Sequence, residues 1–457
     1  MKFRKIAALA LTAVLFLTAC EKPAPKDDAK PSAKTKDTET EASKAETKET
    51  KTDEAKPADG KSLTVWCWDP NFNIYAMKEA EKIYQKDHPD FKLNIVETPW
   101  PDVQTKIITA ATSKDYSTLP DILLMQDLAF QKNAANYPEL FADLEKSGVK
   151  FEDFAKAKAS YSTVNGKHLG VPFDNGTVVA AYRTDLLKQA GYKIDDMKDI
   201  TWSKFIEIGK KVVEKTGKPL LTNIAGENDT VMMMLQSAGA SMFDKDGNVT
   251  LKDNEIMKKV FQIYLDMKKS GVLGEVNDWD QYIGSMTGGN TVGVLNGCWI
   301  LASVQTAKDQ SGKWAITNMP KLDGVESATN YSNNGGSSWV VIDKSKNKEL
   351  AFDFLKTTFG SSVSLYETIL PKSGALSTYI PAGKSDIYAK PQEFFGGQAI
   401  YKDLTDFATK VPYTVIGAYH YEARDAVATA LHNFIDGKDL NAELAEAQKT
   451  VEFAMGK

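Results

Sequence analysis

Aromatic rings and flat amide or carboxylate groups recur side by side at the ends of apolar runs in this 457-residue sequence. Trp68, Phe72, Trp279, Tyr282, Trp299, Trp339, Tyr419 and Tyr421 stand close in the chain to Asp69, Asn73, Asp174, Asn175, Asp280, Asn333 and Asn334. Together these residue types suit the binding of a sugar. A flat ring covers the apolar C–H face of a sugar, while carboxylates and amides pair with its rim of hydroxyls. Position in the chain separates the candidates. Trp66 and Trp339 lie inside strand-like runs and read as core, whereas Trp68 and Trp299 end such runs and are open to either role. The run Met232-Met233-Met234 reads as helix packing.

Signatures of catalysis are missing. There is no Gly-x-x-x-x-Gly-Lys-Ser/Thr phosphate loop, no Gly-x-Ser-x-Gly elbow and no His-Glu-x-x-His pair. Acidic residues are plentiful, but nothing marks out two of them as a glycosidase pair. His88, His168, His420 and His432 are scattered without zinc-ligand spacing. Asp244-Lys245-Asp246-Gly247-Asn248 approaches a calcium loop but lacks a third ligand before its glycine, so a turn is expected there. The reading therefore carries no metal and no cofactor.

The first twenty residues carry an address. Lys2, Arg4 and Lys5 precede an uncharged run from Ile6 to Ala19, followed by Cys20 after Leu17-Thr18-Ala19. A helix needs roughly 20 residues to cross the hydrocarbon core, so this shorter run suits a signal peptide. Small residues before Cys20 suit cleavage there, with the thiol lipidated and the mature chain held on the outer face of a bacterial cytoplasmic membrane. Residues 21–61 contain no Val, Ile, Leu, Met or aromatic residue, with ten Lys against eleven Asp and Glu. Such a segment cannot offset its ordering entropy by burial and reads as a solvated tether. The net charge of −5 argues against nucleic acid or anionic lipid as an electrostatic partner.

The remaining residues, 62–457, exceed what one core usually holds, so two lobes are expected. Leu63 to Trp68 reads as a buried strand stopped by Asp69-Pro70. Ala76, Met77, Ala80, Ile83 and Tyr84 then form one helical stripe ending at His88-Pro89. Phe91, Leu93 and Ile95 alternate as a second strand. Val103, Ile107, Ala110 and Ala111 repeat the helical stripe, and Ile122 to Met125 is a third strand. This β-α-β-α-β order calls for right-handed crossovers and a mostly parallel sheet. Ligands bind beyond the carboxyl ends of such strands, which brings the Trp68–Asn73 loop to one edge with Gln126 and Asp127. A second alternation starts near Val171–Gly176 and includes a helix opened by Thr201.

In the order and spacing of these segments the chain resembles the extracellular solute-binding proteins of ABC transporters, in the sugar-binding branch that includes the maltose-binding protein. The resemblance covers residues 62–457. It rests on Leu63-Thr64-Val65-Trp66, Leu119-Pro120-Asp121-Ile122, Gly166 to Pro172 and Tyr182 to Leu187. It continues through Thr201-Trp202, Phe243 to Gly247, Gly297-Cys298-Trp299, Asn334-Gly335-Gly336 and Leu370-Pro371.

The resemblance implies an α/β clamshell of two lobes, each a mostly parallel sheet flanked by helices. The first lobe would hold residues 62–172 and 315–371, the second 173–314 and 372–457. It implies a monomer that binds a carbohydrate, an oligosaccharide, in the cleft and delivers it to ABC permease subunits without catalysis. A polyamine or amino-acid derivative on the same fold, or a surface glycoside hydrolase, are the rival readings. Among site residues, Trp299 matches a tryptophan that stacks on sugar. Tyr419 and His420 fall where the family often has another stacking aromatic, with His420 departing from tryptophan. Gln126 and Asp127 match a polar loop, Asp174 and Asn175 the first hinge, and Gly335 and Gly336 a close backbone approach to ligand. With Cys67 in the first lobe and Cys298 in the second, both are expected to be free thiols, since a bridge would staple the clamshell.

Overall fold

The computed structural model describes residues 60–457. The signal segment, Cys20 and the tether through residue 59 lie outside the described residues. The strands are β1 (Ser62–Cys67), β2 (Lys92–Glu97), β3 (Ile122–Gln126), β4 (Thr163–Val164), β5 (Lys167–His168), β6 (Val171–Arg183), β7 (Leu221–Ile224), β8 (Leu273–Val276), β9 (Gly293–Gly297), β10 (Trp314–Thr317) and β11 (Asn333–Val341).

The first lobe is built on the sheet β2-β1-β3-β11-β6. β1 runs parallel to β2 and β3, as the crossover order demands, and β11 runs antiparallel to both β3 and β6. Side chains alternate across a strand, and both faces of this sheet are covered. Val65, Cys67, Ile122 and Leu124 pack toward the helices Asn73–Tyr84, Lys348–Thr357 and Val363–Ser373. Trp66, Leu123 and Met125 pack on the other face against Trp100–Ser113 and Phe130–Asn136. A sheet buried on both faces reads as a continuous apolar run, which is why Ile122-Leu123-Leu124-Met125 contains no polar residue.

β6 is shared between lobes. Its first half pairs with β11, and from Val178 onward it pairs with β9 and β10, both antiparallel. In this second half the alternation splits again. Val178, Ala180 and Tyr182 face a core with Trp202, Phe205 and the helices Glu255–Lys269, His420–Ile435 and Leu440–Ala454. Val179 and Ala181 face Tyr282, Ile300, Trp314 and Tyr401. β7 and β8 add a parallel pair. The helix Trp202–Thr216 starts where Thr201 accepts from the Lys204 amide and stops at Gly217, whose φ is +68°.

The crossing points need glycine. A Cβ on Gly176 would stand 2.2 Å from the Asn334 carbonyl oxygen, so only glycine lets β6 and β11 approach this closely. Gly335 and Gly336 adopt φ of +89° and +106° where the β6–β11 register shifts.

The expected return to the first lobe near residues 315–319 is corrected by the pairing of β10 with Arg183–Ala180 in the second lobe; the return comes at β11, from Asn333. The expected departure after 371 also shifts. The helix ends at Ser373, and Ala375, Tyr379 and Ala382 still pack in the first-lobe core.

Candidate functional site between the lobes

Two hollows flank this region, the larger between the lobes and the smaller within the second lobe. The larger, about 560 Å³ with its open mouth, is bounded by Leu128 and Tyr161 of the first lobe, Asn333–Gly335 of the crossing strand, and Met232, Gln236, Thr414–Ile416, His420 and Arg424 of the second. The smaller, about 290 Å³, is lined by Asn223, Glu227, Asp229, Trp279, Tyr282 and Asn296.

A chain of polar side chains forms the wall beside both. Arg424 pairs with one oxygen of Asp229. The other oxygen accepts from the Asn334 amide at 2.8 Å, and the same amide donates to Asn296 Oδ1 at 2.8 Å. Asn296 Nδ2 in turn donates to the Tyr282 hydroxyl at 3.1 Å. These groups hold one another in fixed orientations. Trp299 and Trp279 lie with ring centroids 5.9 Å apart and planes inclined by 34°, and Tyr282 lies 5.5 Å from Trp279 at 45°. Trp279 is 40% exposed.

His420 supplies the open valence. Its Nε2 is buried and has no hydrogen-bond partner among the described residues. Burial, aided by the Arg424 guanidinium, pushes its pKa down to about 3, so the ring is neutral and its two nitrogens offer one donor and one acceptor. A buried polar atom without a partner beside a hollow has hydrogen-bonding capacity to spare.

Other sequence-selected residues are committed elsewhere. Asn73 Oδ1 accepts from the amides of Trp68 and Asp69, 3.0 Å each, and the Asp69 carboxylate accepts from Asn71 and Phe72. These bonds shape the β1 loop. Phe72 is buried against Phe173, 5.6 Å between rings. Trp68 packs at a tilt against Trp100 at 5.7 Å, and Trp100 against Tyr421 of the second lobe at 6.4 Å.

Asp127 and Asp174 are taken up in a buried cluster where β11 pairs with β3 and β6. Asp127 pairs with Lys158, both almost fully buried, and accepts from Ser338 at 3.1 Å. Lys158 also donates to the Ser337 carbonyl at 2.8 Å, while the Ser337 hydroxyl donates to Asp174. Burial raises the pKa of both carboxyls. Gly336 fits against this cluster because a Cβ there would meet Asp127 Oδ2 at 2.6 Å. Asn175 pairs with Gly336, and its carbonyl accepts from Cys298 Sγ at 3.4 Å. Gln126 accepts from the Tyr421 hydroxyl across the lobes, and Tyr419 lies under Lys132 Nζ at 5.3 Å. Asp244 accepts from the amides of Asp246 and Asn248, so that segment is the expected turn.

The sequence reading passed over Asp229, Arg424, Asn296 and Lys158. Asp229 and Arg424 stand 195 residues apart, and no local pattern joins them. The nearest signal was Asn228-Asp229-Thr230 opening the helix Asp229–Ser237.

Two lobes joined by crossing segments, with a hollow between them that both line, form a clamshell. The chain belongs to the bacterial extracellular solute-binding proteins, whose family model matches residues 79–370. It is similar to the lactose-binding protein of Rhizobium radiobacter, 38% identical over 382 residues that cover 84% of this chain and 90% of the relative. It is also similar to the arabinooligosaccharide-binding protein of Bacillus subtilis (strain 168), 30% identical over 320 residues, 67% of this chain and 72% of the relative. In fold it matches the ABC transporter associated binding protein from B. animalis subsp. lactis Bl-04, solved in complex with beta-1,6-galactobiose. The TM-score is 0.73 at 21% identity, over 86% of this chain and 96% of that one.

Proposed function

We propose that this protein is the substrate-capturing subunit of an ABC importer and binds a short galactose-containing oligosaccharide between its lobes. The observation that carries this reading is the pairing of the Trp279–Trp299 surface with the Asp229–Asn334–Asn296 wall and the open His420 nitrogen. Stacking rings opposite hydrogen-bonding groups suit a neutral, hydroxylated guest. The names of the lactose- and arabinooligosaccharide-binding relatives support the class of ligand. Delivery to permease subunits, the absence of catalysis and a monomeric state belong to the same reading. Attachment by lipid on Cys20, on the outer face of the cytoplasmic membrane, is supported by the sequence of residues 1–20.

Calorimetric titration with lactose, beta-1,6-galactobiose, an arabino-oligosaccharide and spermidine tests it. Saturable binding of a galactoside, with spermidine inert, is the expected result. Binding of spermidine alone overturns the carbohydrate assignment, and release of chromophore from nitrophenyl glycosides overturns the non-catalytic one.

A further inference from the structure

The first turn of the helix His420–Ile435 faces two ways. His420 and Arg424, four residues apart and therefore stacked on one side of the helix, line the larger hollow. Between them, Tyr421 and Glu422 reach the first lobe. The Tyr421 hydroxyl donates to Gln126 at the end of β3, and its ring packs in the first-lobe cluster with Trp100. Glu422 pairs with Lys132 of the first-lobe helix Phe130–Asn136, and Lys132 Nζ also lies over the Tyr419 ring. Gln126 and Lys132 flank Leu128, itself part of the hollow's lining.

We infer that Glu422, Lys132, Tyr421 and Gln126 are positioning residues forming a latch, which closes the clamshell when a ligand seats against His420 and Arg424. The inference rests on the cleft being the binding site. The helical turn is rigid over this span, so a guest that fixes His420 and Arg424 also fixes the direction in which Tyr421 and Glu422 point. In the converse direction, latch formation holds the cavity wall in its binding geometry. The four residues touch no ligand in this scheme. They set how long the closed state lasts, and hence the off-rate.

The Lys132–Glu422 pair is about one-third exposed on each side, so salt screens it. This gives the latch a signature that packing alone lacks. A partly exposed pair of this kind is worth about 2- to 5-fold in an equilibrium.

Stopped-flow dissociation of lactose from the mature chain, at low and high sodium chloride, is paired with interlobe energy transfer between dyes at Lys86→Cys and Lys259→Cys. Wild-type dissociation should quicken with salt. Lys132→Met and Glu422→Gln should each dissociate about 2- to 5-fold faster at low salt and lose the salt response. The swap of Lys132→Glu with Glu422→Lys should restore both. Off-rates equal to wild type in both single variants, or no recovery in the swap, overturn the latch. Energy transfer in the unliganded protein keeps the two readings apart. If lactose does not bind, the carbohydrate reading fails for that sugar, and the latch still predicts a more open unliganded population in Glu422→Gln; an unchanged population overturns it.

Discussion

The indole nitrogen of Trp299 donates to the main-chain carbonyl oxygen of Asn334, 3.0 Å away. A ring carried by the second lobe is thereby tied to the strand through which the chain returns to the first. The tie exists because residue 297 is glycine: a Cβ there would stand 2.2 Å from that indole nitrogen and 2.6 Å from the Asn334 oxygen. The plane of the ring is fixed from the backbone outward.

Removal of that ring should cost binding more than folding. Loss of one large apolar face is worth about 1–3 kcal/mol, so Trp299→Ala should weaken galactoside affinity about 5- to 150-fold. Trp299→Phe, which keeps a ring but not the hydrogen bond, should fall between. Gly297→Ala should also weaken binding by pushing the indole aside, with about 1–3 kcal/mol of destabilisation from overpacking. Titration calorimetry on folded variants decides the matter; an unaltered dissociation constant for Trp299→Ala removes Trp299 from the site.

A second expectation concerns acid. His420 is neutral in the native state down to about pH 3, while in the unfolded chain it takes a proton near pH 6.5. Its contribution is fully present above about pH 6.5 and is lost as pH falls toward 3, because only the unfolded state gains the proton. The loss approaches about 1.4 kcal/mol per pH unit, or about 2 kcal/mol between pH 7 and pH 5. Urea unfolding of wild type and His420→Gln at both pH values isolates this proton. Wild type should lose about 2 kcal/mol more than the variant over that interval; equal losses would show that His420 is protonated in the native state.

The elements were legible where their residues share a period. Leu63 to Trp68 and Ile122 to Met125 announce buried strands because both of their faces meet apolar cores. The helix opened by Thr201 was readable from its cap and stripe. What could not be read was which sheet a strand joins. Trp314-Ala315-Ile316-Thr317 is apolar enough for either lobe, and its hydrogen bonds to Arg183–Ala180 decide the question. The same blindness affects charge. Asp127 and Asp174 look available in the sequence, yet Lys158 and Ser337, distant along the chain, take them into a buried cluster. Asp229 looks unremarkable until Arg424 and Asn334 arrive beside it.

The Asp127–Lys158 pair yields a third test. Both side chains are less than 5% exposed, and removing one partner of a buried pair typically costs about 3–5 kcal/mol, because the other charge is left without compensation. Asp127→Asn and Lys158→Met should each lower stability by that order in chemical denaturation. Their combination should cost less than the sum. Full additivity would show that the two groups do not depend on each other.

The last expectation concerns the two cysteines of the described residues. Cys67 packs in the first-lobe core and Cys298 in a second-lobe core, and both are free and buried. Burial pushes both thiol pKa values up, so neither forms the thiolate that reacts with disulfide reagents at neutral pH. A bridge between them would also tie together lobes that must part to exchange ligand. A chain beginning at Ser62 should therefore show almost no reaction with a thiol reagent while folded, and two reactive groups after denaturation without reductant. Rapid labelling of the folded chain would show that one core opens on its own. A count of zero after denaturation, with a cross-linked peptide carrying Cys67 and Cys298, would contradict either the separation of the two cores or the opening of the clamshell.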